Sequence, residues 1–216
     1  QEAAQMAQHN AQVATEGAEV RKLEYDGNPQ EAAQRLASYV ARDDNAPDWV
    51  DLARLTLQTT EDSDRSAADS AAQMAVNGYL RAADNGIAAQ ALLRLAQADD
   101  RLDRGRDGLA ALRLANRLTP DDADISQALA ASEDRNGMRV TDTQIDADGR
   151  MPRFCAILSR ELSDSTDYAP YLRLPAGDLT VDAEGNQLCI GGLGHGQQVE
   201  ITLRAGLPAA DGEALS

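Results

Sequence analysis

The sequence predicts a multidomain protein with an α part and a β part: an all-helical repeat domain over residues 1–136 and a small β-sandwich over residues 137–216. Three observations predict this division. Long Ala-, Leu- and Arg-rich stretches with helical spacing fill the first part. Short runs of alternating apolar and polar residues, broken by Gly, Pro and Asp, fill the second. The helical part also repeats itself with a period of about 40 residues, which is typical of stacked helical hairpins.

The composition excludes two classes of partner. With 36 acidic and 20 basic residues among 216, the formal charge is -16, and no cluster of Lys or Arg offsets it locally. Such a chain is repelled by phosphate backbones and by anionic lipid surfaces, so we expect no nucleic-acid partner. No apolar run approaches the roughly 20 residues that a membrane-spanning helix needs, so we expect no membrane span.

Helical periodicity predicts seven helices in the first domain. Local signals mark some of their ends: Asp48, which follows Pro47, is expected to cap the helix that carries Trp49, and residues 26–29 are expected to end the first helix and start the second. The helices are predicted at residues 2–24, 30–42, 48–60, 66–83, 87–103, 107–118 and 122–135.

The internal repeat predicts how these helices are arranged. Two sets of apolar pairs recur with a nearly constant offset: Leu36 and Val40 match Val76 and Leu80, then Leu114 and Leu118, while Leu52 and Leu55 match Leu92 and Leu95. A fixed period in this range predicts an α-solenoid, in which each repeat buries its apolar face against its neighbours. The concave surface of a solenoid usually holds an extended peptide or another domain, although the repeats can also be only a spacer or packing platform.

The segment Pro120–Asp124, after Leu118, resembles the junction between tetratricopeptide repeats. The resemblance is to that superfamily as a whole, and Trp49 and Leu52 supply only a fragment of its consensus. The period here is longer than the usual tetratricopeptide spacing of about 34 residues. The resemblance implies a solenoid of tetratricopeptide-like helical hairpins.

Six short strands are predicted in the second domain, with turns at intervals of roughly ten residues, a pattern that favours a β-sandwich. A hairpin loop is expected at residues 182–186, where Asp182, Gly185 and Asn186 interrupt the alternation. The strands are predicted at residues 138–145, 153–159, 168–174, 179–181, 187–190 and 198–204.

The second domain resembles the N-terminal region of the bacterial alpha-2-macroglobulin family. The segments that carry the resemblance are residues 139–142, 152–162, 167–171, 188–196 and 202–208, in that order. Members of this family are large envelope proteins, built from many macroglobulin-type β-sandwiches, that entrap proteases. The resemblance implies a macroglobulin-type domain in a non-catalytic N-terminal segment of an exported protease inhibitor, which acts as a scaffold or interaction module.

This resemblance implies a place in the periplasm or cell envelope. Proteases would be partners of the full-length protein, and another envelope protein could bind the helical repeats. A start at Gln1 is what removal of a signal peptide or excision from a longer chain would leave, and the family would continue beyond Ser216. Many members carry a Cys-x-Glu-Gln thioester. Neither Cys155 nor Cys189 lies in that motif, so no covalent trapping chemistry is assigned to them.

In an exported protein we expect Cys155 and Cys189 to form a disulfide, which is worth roughly 3 to 4 kcal/mol by loop entropy. Two alternatives are a pair of buried free thiols and a metal or catalytic pair. The second is disfavoured because the chain has no Cys-x-x-Cys and only His9 and His195 could complete a site.

We expect no catalytic residues, no cofactor and no metal. Residues 146–149 begin like a calcium loop, but Arg150 and Ile157 stand where oxygen ligands are needed. The glycines at 191–196 do not have dinucleotide-binding spacing and more simply form a bend. Two other functions are carried forward: an envelope tetratricopeptide-type adaptor, and, less favoured, a hydrolase with a pocket at His195, for which Ser159 is a nucleophile only on paper.

Overall fold

A computed structural model describes residues 2–146, 152–196 and 198–215. The chain divides into two compact units, residues 1–136 and residues 137–216. The suggested calcium-like loop at residues 147–150 lies outside the described residues. Among the helices that are described, none combines the length and the apolar character needed to cross a bilayer.

The first unit is helical throughout. Its helices are α1 (Glu2–Tyr25), α2 (Pro29–Ala37), α3 (Val40–Asp43), α4 (Ala46–Thr59), α5 (Arg65–Arg81), α6 (Asn85–Arg101), α7 (Gly105–Leu118) and α8 (Ala123–Asn136). Each predicted helix is present, with ends that differ by at most two positions, except that the segment predicted as one helix over residues 30–42 is two. The Ser38 hydroxyl donates to the Arg35 carbonyl at 2.6 Å, and the chain leaves the helix at Tyr39, whose ring is buried. A side chain that bonds a nearby carbonyl competes with the helix ladder.

Helix α4 begins earlier than the sequence predicted, and Asp48 does not cap it. The cap is Asn45, whose Oδ1 accepts from the Asp48 backbone N–H at 3.0 Å and whose Nδ2 donates to Asp48 Oδ2 at 2.7 Å. The prediction was wrong because it placed Pro47 before the helix. Pro47 instead lies in the first turn, where its missing N–H has no helical partner to lose.

The repeat is visible in the stacking of the helices. Helices α4, α6 and α8 begin at Ala46, Asn85 and Ala123, in two nearly equal steps that are close to the predicted period. From α4 onward each helix packs on the next one along the chain, and α4 also contacts α6, as α6 contacts α8; α2 packs on both α1 and α4. Helices α4, α6 and α8 therefore form one layer of the stack, while α5 and α7 lie on its other side. Three separate apolar clusters follow one another along the stack, as expected when repeats bury their faces only against neighbours.

The repeated apolar pairs do not share an environment, contrary to what their match in sequence suggests. Leu36 and Val40 are buried, but Val76 and Leu80 on α5 are 40% and 71% exposed. Helix α5 buries small residues instead: Ala68, Ala71, Ala72, Ala75 and Gly78. A Cβ on Gly78 would lie 2.7 Å from Val50 Cγ2 of α4. Because α5 presents small residues to α4, the two helices approach closely. The larger side chains of α5 therefore face solvent.

The second unit contains a four-stranded antiparallel sheet in the order β1-β2-β5-β4 and a separate pair, β3-β6. Both contribute to one apolar core, which includes Leu158, Leu172, Leu188 and Ile190. The strands are β1 (Val140–Asp146), β2 (Arg153–Leu158), β3 (Leu172–Arg173), β4 (Thr180–Glu184), β5 (Gln187–Gly191) and β6 (Thr202–Leu203). An antiparallel β unit is thus present as predicted, whereas its macroglobulin identity stays a prediction.

Two of the predicted strands are much shorter than the alternation suggested. Residues 169–171 form a 3₁₀ turn around Pro170, which fixes its own φ and has no N–H to give to a sheet. Only Leu172 and Arg173 remain as β3, so only Thr202 and Leu203 of the segment 198–204 find ladder partners. The predicted hairpin is present, but its loop is shorter than the predicted 182–186: residues 182–184 belong to β4, and Glu184 lies opposite Gln187 across a two-residue turn in which Gly185 has a φ of +58°.

Candidate binding groove

An open groove of about 720 Å³ runs along the surface between α4 and α6. Helices α4 and α6 are the first helices of two successive hairpins, and both belong to the layer that also contains α8. Long polar side chains provide most of its lining. The lining residues are Arg54, Leu57 and Gln58 of α4, Asp62 of the following loop, Arg94, Gln97, Asp100 and Arg101 of α6, and Asp103 just after it.

Residues that line the groove recur with the same period as the helices. Arg94 follows Arg54 at the same offset that separates Leu92 from Leu52, and Gln97 follows Leu57 at that offset too. On α6, Arg94, Gln97 and Arg101 are three and four positions apart, a spacing that places them on one face of a helix. Two equivalent helix faces therefore meet at the groove and bring three guanidinium groups to it.

Arg101 is a structural residue of the groove. Its Nη2 donates to the Leu57 carbonyl at 2.7 Å and lies 2.7 Å from Asp62 Oδ1, and its Nη1 donates to Thr60 Oγ1 at 3.3 Å. These contacts give a partner to a carbonyl in the last turn of α4, which the helix itself leaves without one. Arg101 thereby ties α6 to the end of α4.

Arg54 has two carboxylate partners. Its Nη2 donates to Glu24 of α1 at 2.7 Å, and its Nε lies 3.2 Å from Asp51. Its Nη1 also donates to Gln58 Oε1 at 3.3 Å. Burial alone would lower the pKa of Arg54, but the hydrogen bond and charge of Glu24 and the charge of Asp51 outweigh it and raise that pKa.

The carboxylates that line the groove are each paired with an arginine. Asp62 pairs with Arg101 at 2.7 Å, Asp100 with Arg135 of α8 at 2.7 Å, and Asp103 with Arg65 of α5 at 2.6 Å. The acidic groups of the lining are therefore compensated within the described residues. All three lie toward the end of the groove where α4 and α6 finish.

Arg94 differs from every other charged residue of the lining. Its guanidinium donates only to amide oxygens, with Nη1 3.1 Å from Gln97 Oε1 and Nη2 3.2 Å from Gln90 Oε1. Its Nε is buried and has no hydrogen-bond partner. Throughout the described part of the chain, no carboxylate forms an ion pair with it. Burial, followed by repulsion from Arg54, lowers the pKa of Arg94.

Gln90 connects Arg94 indirectly to a negative charge. While its Oε1 accepts from Arg94, its Nε2 donates to Asp122 Oδ2 at 3.1 Å. Asp122 is held at the start of α8, where its Oδ1 accepts from the backbone N–H groups of Asp124 and Ile125. A neutral amide thus separates the Arg94 charge from the nearest carboxylate in this chain of hydrogen bonds. The charges of Asp51, Asp124 and Asp122 act on the guanidinium from a distance, but among the described residues no carboxylate is in direct contact with it.

The second unit holds a different cavity, of about 490 Å³, that contains His195. The rest of its lining is Ile145, Pro152, Phe154, Leu193, Gly194, Gly196, Gln198, Val199 and Ile201. Within that described lining, no hydroxyl, thiol or carboxyl side chain accompanies His195. Ser159 lies elsewhere, its Oγ accepting from the Arg139 N–H at 3.0 Å and lying 3.3 Å from the Gly137 carbonyl. The residues considered for a hydrolase are therefore not brought together.

Cys155 and Cys189 are joined in a disulfide between the two central strands. The register of β2 and β5 places them directly opposite each other, with their Cα atoms 4.0 Å apart. Phe154 and Ile190, the next pair along, contribute to the apolar core, so the disulfide lies on the other face of the sheet. Both cysteines are buried, and the described residues include no free cysteine. These residues also hold no group of three His, Cys, Asp or Glu side chains placed to bind a metal.

Sequence reasoning did not single out the groove residues, although a signal for them was present. The offset that relates Leu52 and Leu55 to Leu92 and Leu95 also relates Arg54 to Arg94. Each arginine lies between the two matching leucines of its own repeat, so Arg54 and Arg94 occupy equivalent positions on α4 and α6. The spacing alone could not show which of the two arginines has carboxylate partners.

Comparisons with known proteins assign no family. No protein-family model matches the chain, and no curated protein matches it significantly. Among solved structures, the chain is similar to the TPR domain of Arabidopsis OM64, at 17% identity and a TM-score of 0.48, over 56% of this chain and 93% of that one. It is also similar to a MamA RS-1 ArsTM double mutant, at 14% identity and a TM-score of 0.26, over 56% of this chain and 83% of that one.

Proposed function

We propose that residues 1–136 are a protein-interaction module of the tetratricopeptide type, which holds an extended segment of a partner protein in the groove between α4 and α6. The observation that carries this proposal is the position of the groove. It lies at the junction of two successive hairpins, where stacked helical repeats present their binding surface. The chain is then an adaptor, and not a spacer or an enzyme.

The chemistry of the lining suits a polypeptide ligand. An extended segment carries backbone N–H and C=O groups that need partners when they leave water. Gln58 and Gln97 can each supply both a donor and an acceptor, while Leu57 offers an apolar contact. A spacer has no use for a partly buried cation such as Arg94 that lines a surface groove without a carboxylate in direct contact, because partial burial of a charge costs stability.

A peptide-display experiment tests the proposal. The purified chain is used to select from a random library of eight-residue peptides, and the affinities of the selected peptides are measured by fluorescence anisotropy. Gln58→Trp should fill the groove and weaken binding about tenfold or more, as loss of a well-packed contact does at interfaces. Gln73→Trp on α5 is the matched control, since Gln73 is also exposed and also bonded within its own helix.

Two results would contradict the proposal. One is that no peptide binds the chain above the background of the display scaffold. The other is that the two tryptophan variants weaken binding equally, which would place the ligand outside the groove.

A second candidate function concerns the β unit: a scaffold segment of an exported, macroglobulin-type protease inhibitor. It is supported by the resemblance of residues 152–162 and 188–196 to that family, because these segments contain β2 and β5, the paired strands that carry the disulfide. Disulfides persist in oxidising compartments such as the periplasm. The test is to export the chain to a bacterial periplasm and measure its mass after alkylation without reduction. Two added alkyl groups would remove the support for this candidate.

A further inference from the structure

We infer that the segment bound in the groove carries an acidic side chain, Asp or Glu, and that Arg94 is the residue that receives its carboxylate. This inference rests on the proposed function, since it identifies the chemistry of the ligand at the same groove. It follows from which charges in the groove are compensated and which are not.

The first step is the donor capacity of Arg94. A guanidinium has five N–H donors in a planar arrangement. Two hydrogen bonds of Arg94 go to neutral amide oxygens, of Gln97 and Gln90, and the Nε–H has no acceptor. A carboxylate is the partner that an arginine fork fits best, and charge-assisted bonds to it are roughly twice as strong as neutral ones. The Nε–H is buried, but Nη1 and Nη2 each carry a second N–H beyond those given to Gln97 and Gln90, and a ligand carboxylate can accept from these.

The second step compares Arg94 with Arg54, the other arginine at that end of the groove. Arg54 lies at the equivalent place on α4, and its two carboxylate partners leave it engaged. Its charge nevertheless repels that of Arg94 and helps to lower the pKa of Arg94. A bound carboxylate relieves this repulsion while it pairs with Arg94. An acidic segment can therefore form an ion pair with Arg94 that a neutral segment of the same shape cannot form.

The third step limits the number of acidic residues in the ligand. Asp62, Asp100 and Asp103 lie at the other end of the groove. Asp62 and Asp103 keep 88% and 85% of their side-chain surface exposed, so their ion pairs leave carboxylate oxygens facing the groove and water. They repel a second acidic residue there. The surplus of 16 negative charges on the whole chain repels polyanions in the same way.

The shape of the groove favours an internal side chain over a chain terminus. From Arg94 to Arg101 along α6 is about 10 Å at the rise of a helix, which an extended chain covers in about three residues at its own rise. The groove is an open trough over this length and not a closed pocket. A segment can therefore cross it and leave again, with one acidic side chain pointing at Arg94.

The test uses the eight-residue peptides selected by the unmodified chain. We expect Asp or Glu to be enriched at one position of these peptides, and replacement of that residue by its amide to weaken binding about tenfold or more, as loss of a charged hydrogen bond does. Arg94→Gln should weaken binding by a similar factor and make the chain indifferent to the same peptide substitution. Arg94→Lys should retain part of the affinity. Binding should also weaken as the NaCl concentration is raised.

A thermal melt of each variant separates loss of binding from loss of folding. Arg94→Gln loses two hydrogen bonds but no ion pair, so it should lower the melting temperature less than Arg54→Gln does. If Arg94→Gln binds the selected peptides as well as the unmodified chain does, and they show no acidic preference, the inference is overturned while the proposed function stands. If amidation of the peptide C-terminus abolishes binding and the internal substitution does not, the internal-residue assignment is overturned. If no peptide binds at all, the proposed function itself fails.

Discussion

Arg54 and Arg94 occupy equivalent positions in successive hairpins, but only Arg54 has carboxylate partners. Glu24 of α1 and Asp51 of its own helix pair with Arg54, whereas Arg94 donates only to the amide oxygens of Gln90 and Gln97. The same residue at the same repeat position is therefore structural in one hairpin and available in the next. The difference arises from neighbouring helices, since Glu24 of α1 reaches Arg54 and no counterpart carboxylate among the described residues reaches Arg94.

Substitution of these two arginines should affect stability differently. Arg54→Gln leaves the partly buried Glu24 without its cation, so we expect a loss of about 1 to 2 kcal/mol in the free energy of unfolding. Arg94→Gln removes hydrogen bonds to two neutral amides and no ion pair, so we expect a smaller loss, of at most about 1 kcal/mol. Urea denaturation followed by the fluorescence of Trp49 measures both. Equal losses in the two variants would contradict the assignment of partners.

The close packing of α4 and α5 depends on Gly78. Alanine favours a helix over glycine by roughly 0.5 to 1 kcal/mol, but at residue 78 its methyl group would lie 2.7 Å from Val50 Cγ2 and 3.3 Å from the Val50 backbone nitrogen. We expect Gly78→Ala to destabilise the helical unit by about 1 to 3 kcal/mol, because the two helices must separate.

Gly17→Ala on α1 is the matched control for Gly78, measured in the same urea denaturation. The nearest atom to its added methyl group is a terminal nitrogen of Arg21 at 3.5 Å, an ordinary contact at the end of a flexible side chain. We expect Gly17→Ala to be neutral or to stabilise the protein by about 0.5 kcal/mol. Stabilisation by both alanines would show that α5 does not pack as closely as described.

The disulfide should stabilise the β unit and leave the helical unit unchanged. With a sequence separation of 34 between the two cysteines, the loop-entropy estimate is roughly 3 to 4 kcal/mol. We expect the double variant Cys155→Ala and Cys189→Ala to lose protection from hydrogen exchange in β2 and β5, measured by mass spectrometry. Peptides from α6 serve as the internal control. Unchanged exchange in the strands would mean that the disulfide does not stabilise the sheet.

Asp99 predicts a dependence of stability on pH. This carboxyl is buried at the end of α6, and burial, with repulsion by Asp107 and Asp100, raises its pKa from 3.8 to about 6 against the opposing charge of Arg104, 3.9 Å away. The folded state therefore holds this proton more tightly than the unfolded state does. The stabilisation of the folded state by protonated Asp99 is fully present below about pH 4 and is lost as the pH rises through about 6.

Asp99→Asn tests this dependence. The variant cannot lose a proton at this position, so its stability relative to the unmodified chain should rise by about 1 to 2 kcal/mol between roughly pH 4 and pH 7.5. Urea denaturation at several pH values measures the difference. Asp121→Asn, at an exposed position, gives the effect of removing one negative charge alone. A difference between Asp99→Asn and the unmodified chain that stays constant with pH would contradict the prediction.

Much of the helical unit could be predicted from local patterns. Apolar residues at helical spacing, and boundary signals such as residues 26–29, mark the helices to within a few residues. Local patterns failed where a choice depended on a neighbouring element. Asn45, and not Asp48, caps α4 because its side chain accepts from the backbone of Asp48 and donates to its carboxylate. Val76 and Leu80 are exposed because α5 packs on α4 through its small residues.

In the β unit, the alternation predicted which segments contain a strand but not how much of each segment is a strand. A strand needs a partner along its whole length, and alternation does not show whether that partner exists. The segments at 168–174 and 198–204 have the right pattern, yet each keeps only two residues in a ladder. Cys155 and Cys189 lie opposite each other because of the register between β2 and β5, which is a tertiary property.

The sequence by itself determined the succession of elements, the period of the helical repeat and the strongly negative charge, because each depends on residues that are close together in the chain or simply on their number. Only the tertiary structure decided which arginine of the repeat has carboxylate partners. That choice depends on α1, α6 and the start of α8, which come from distant parts of the chain. Electrostatic interactions act through space, so a period along the chain can locate Arg54 and Arg94 but cannot assign their partners.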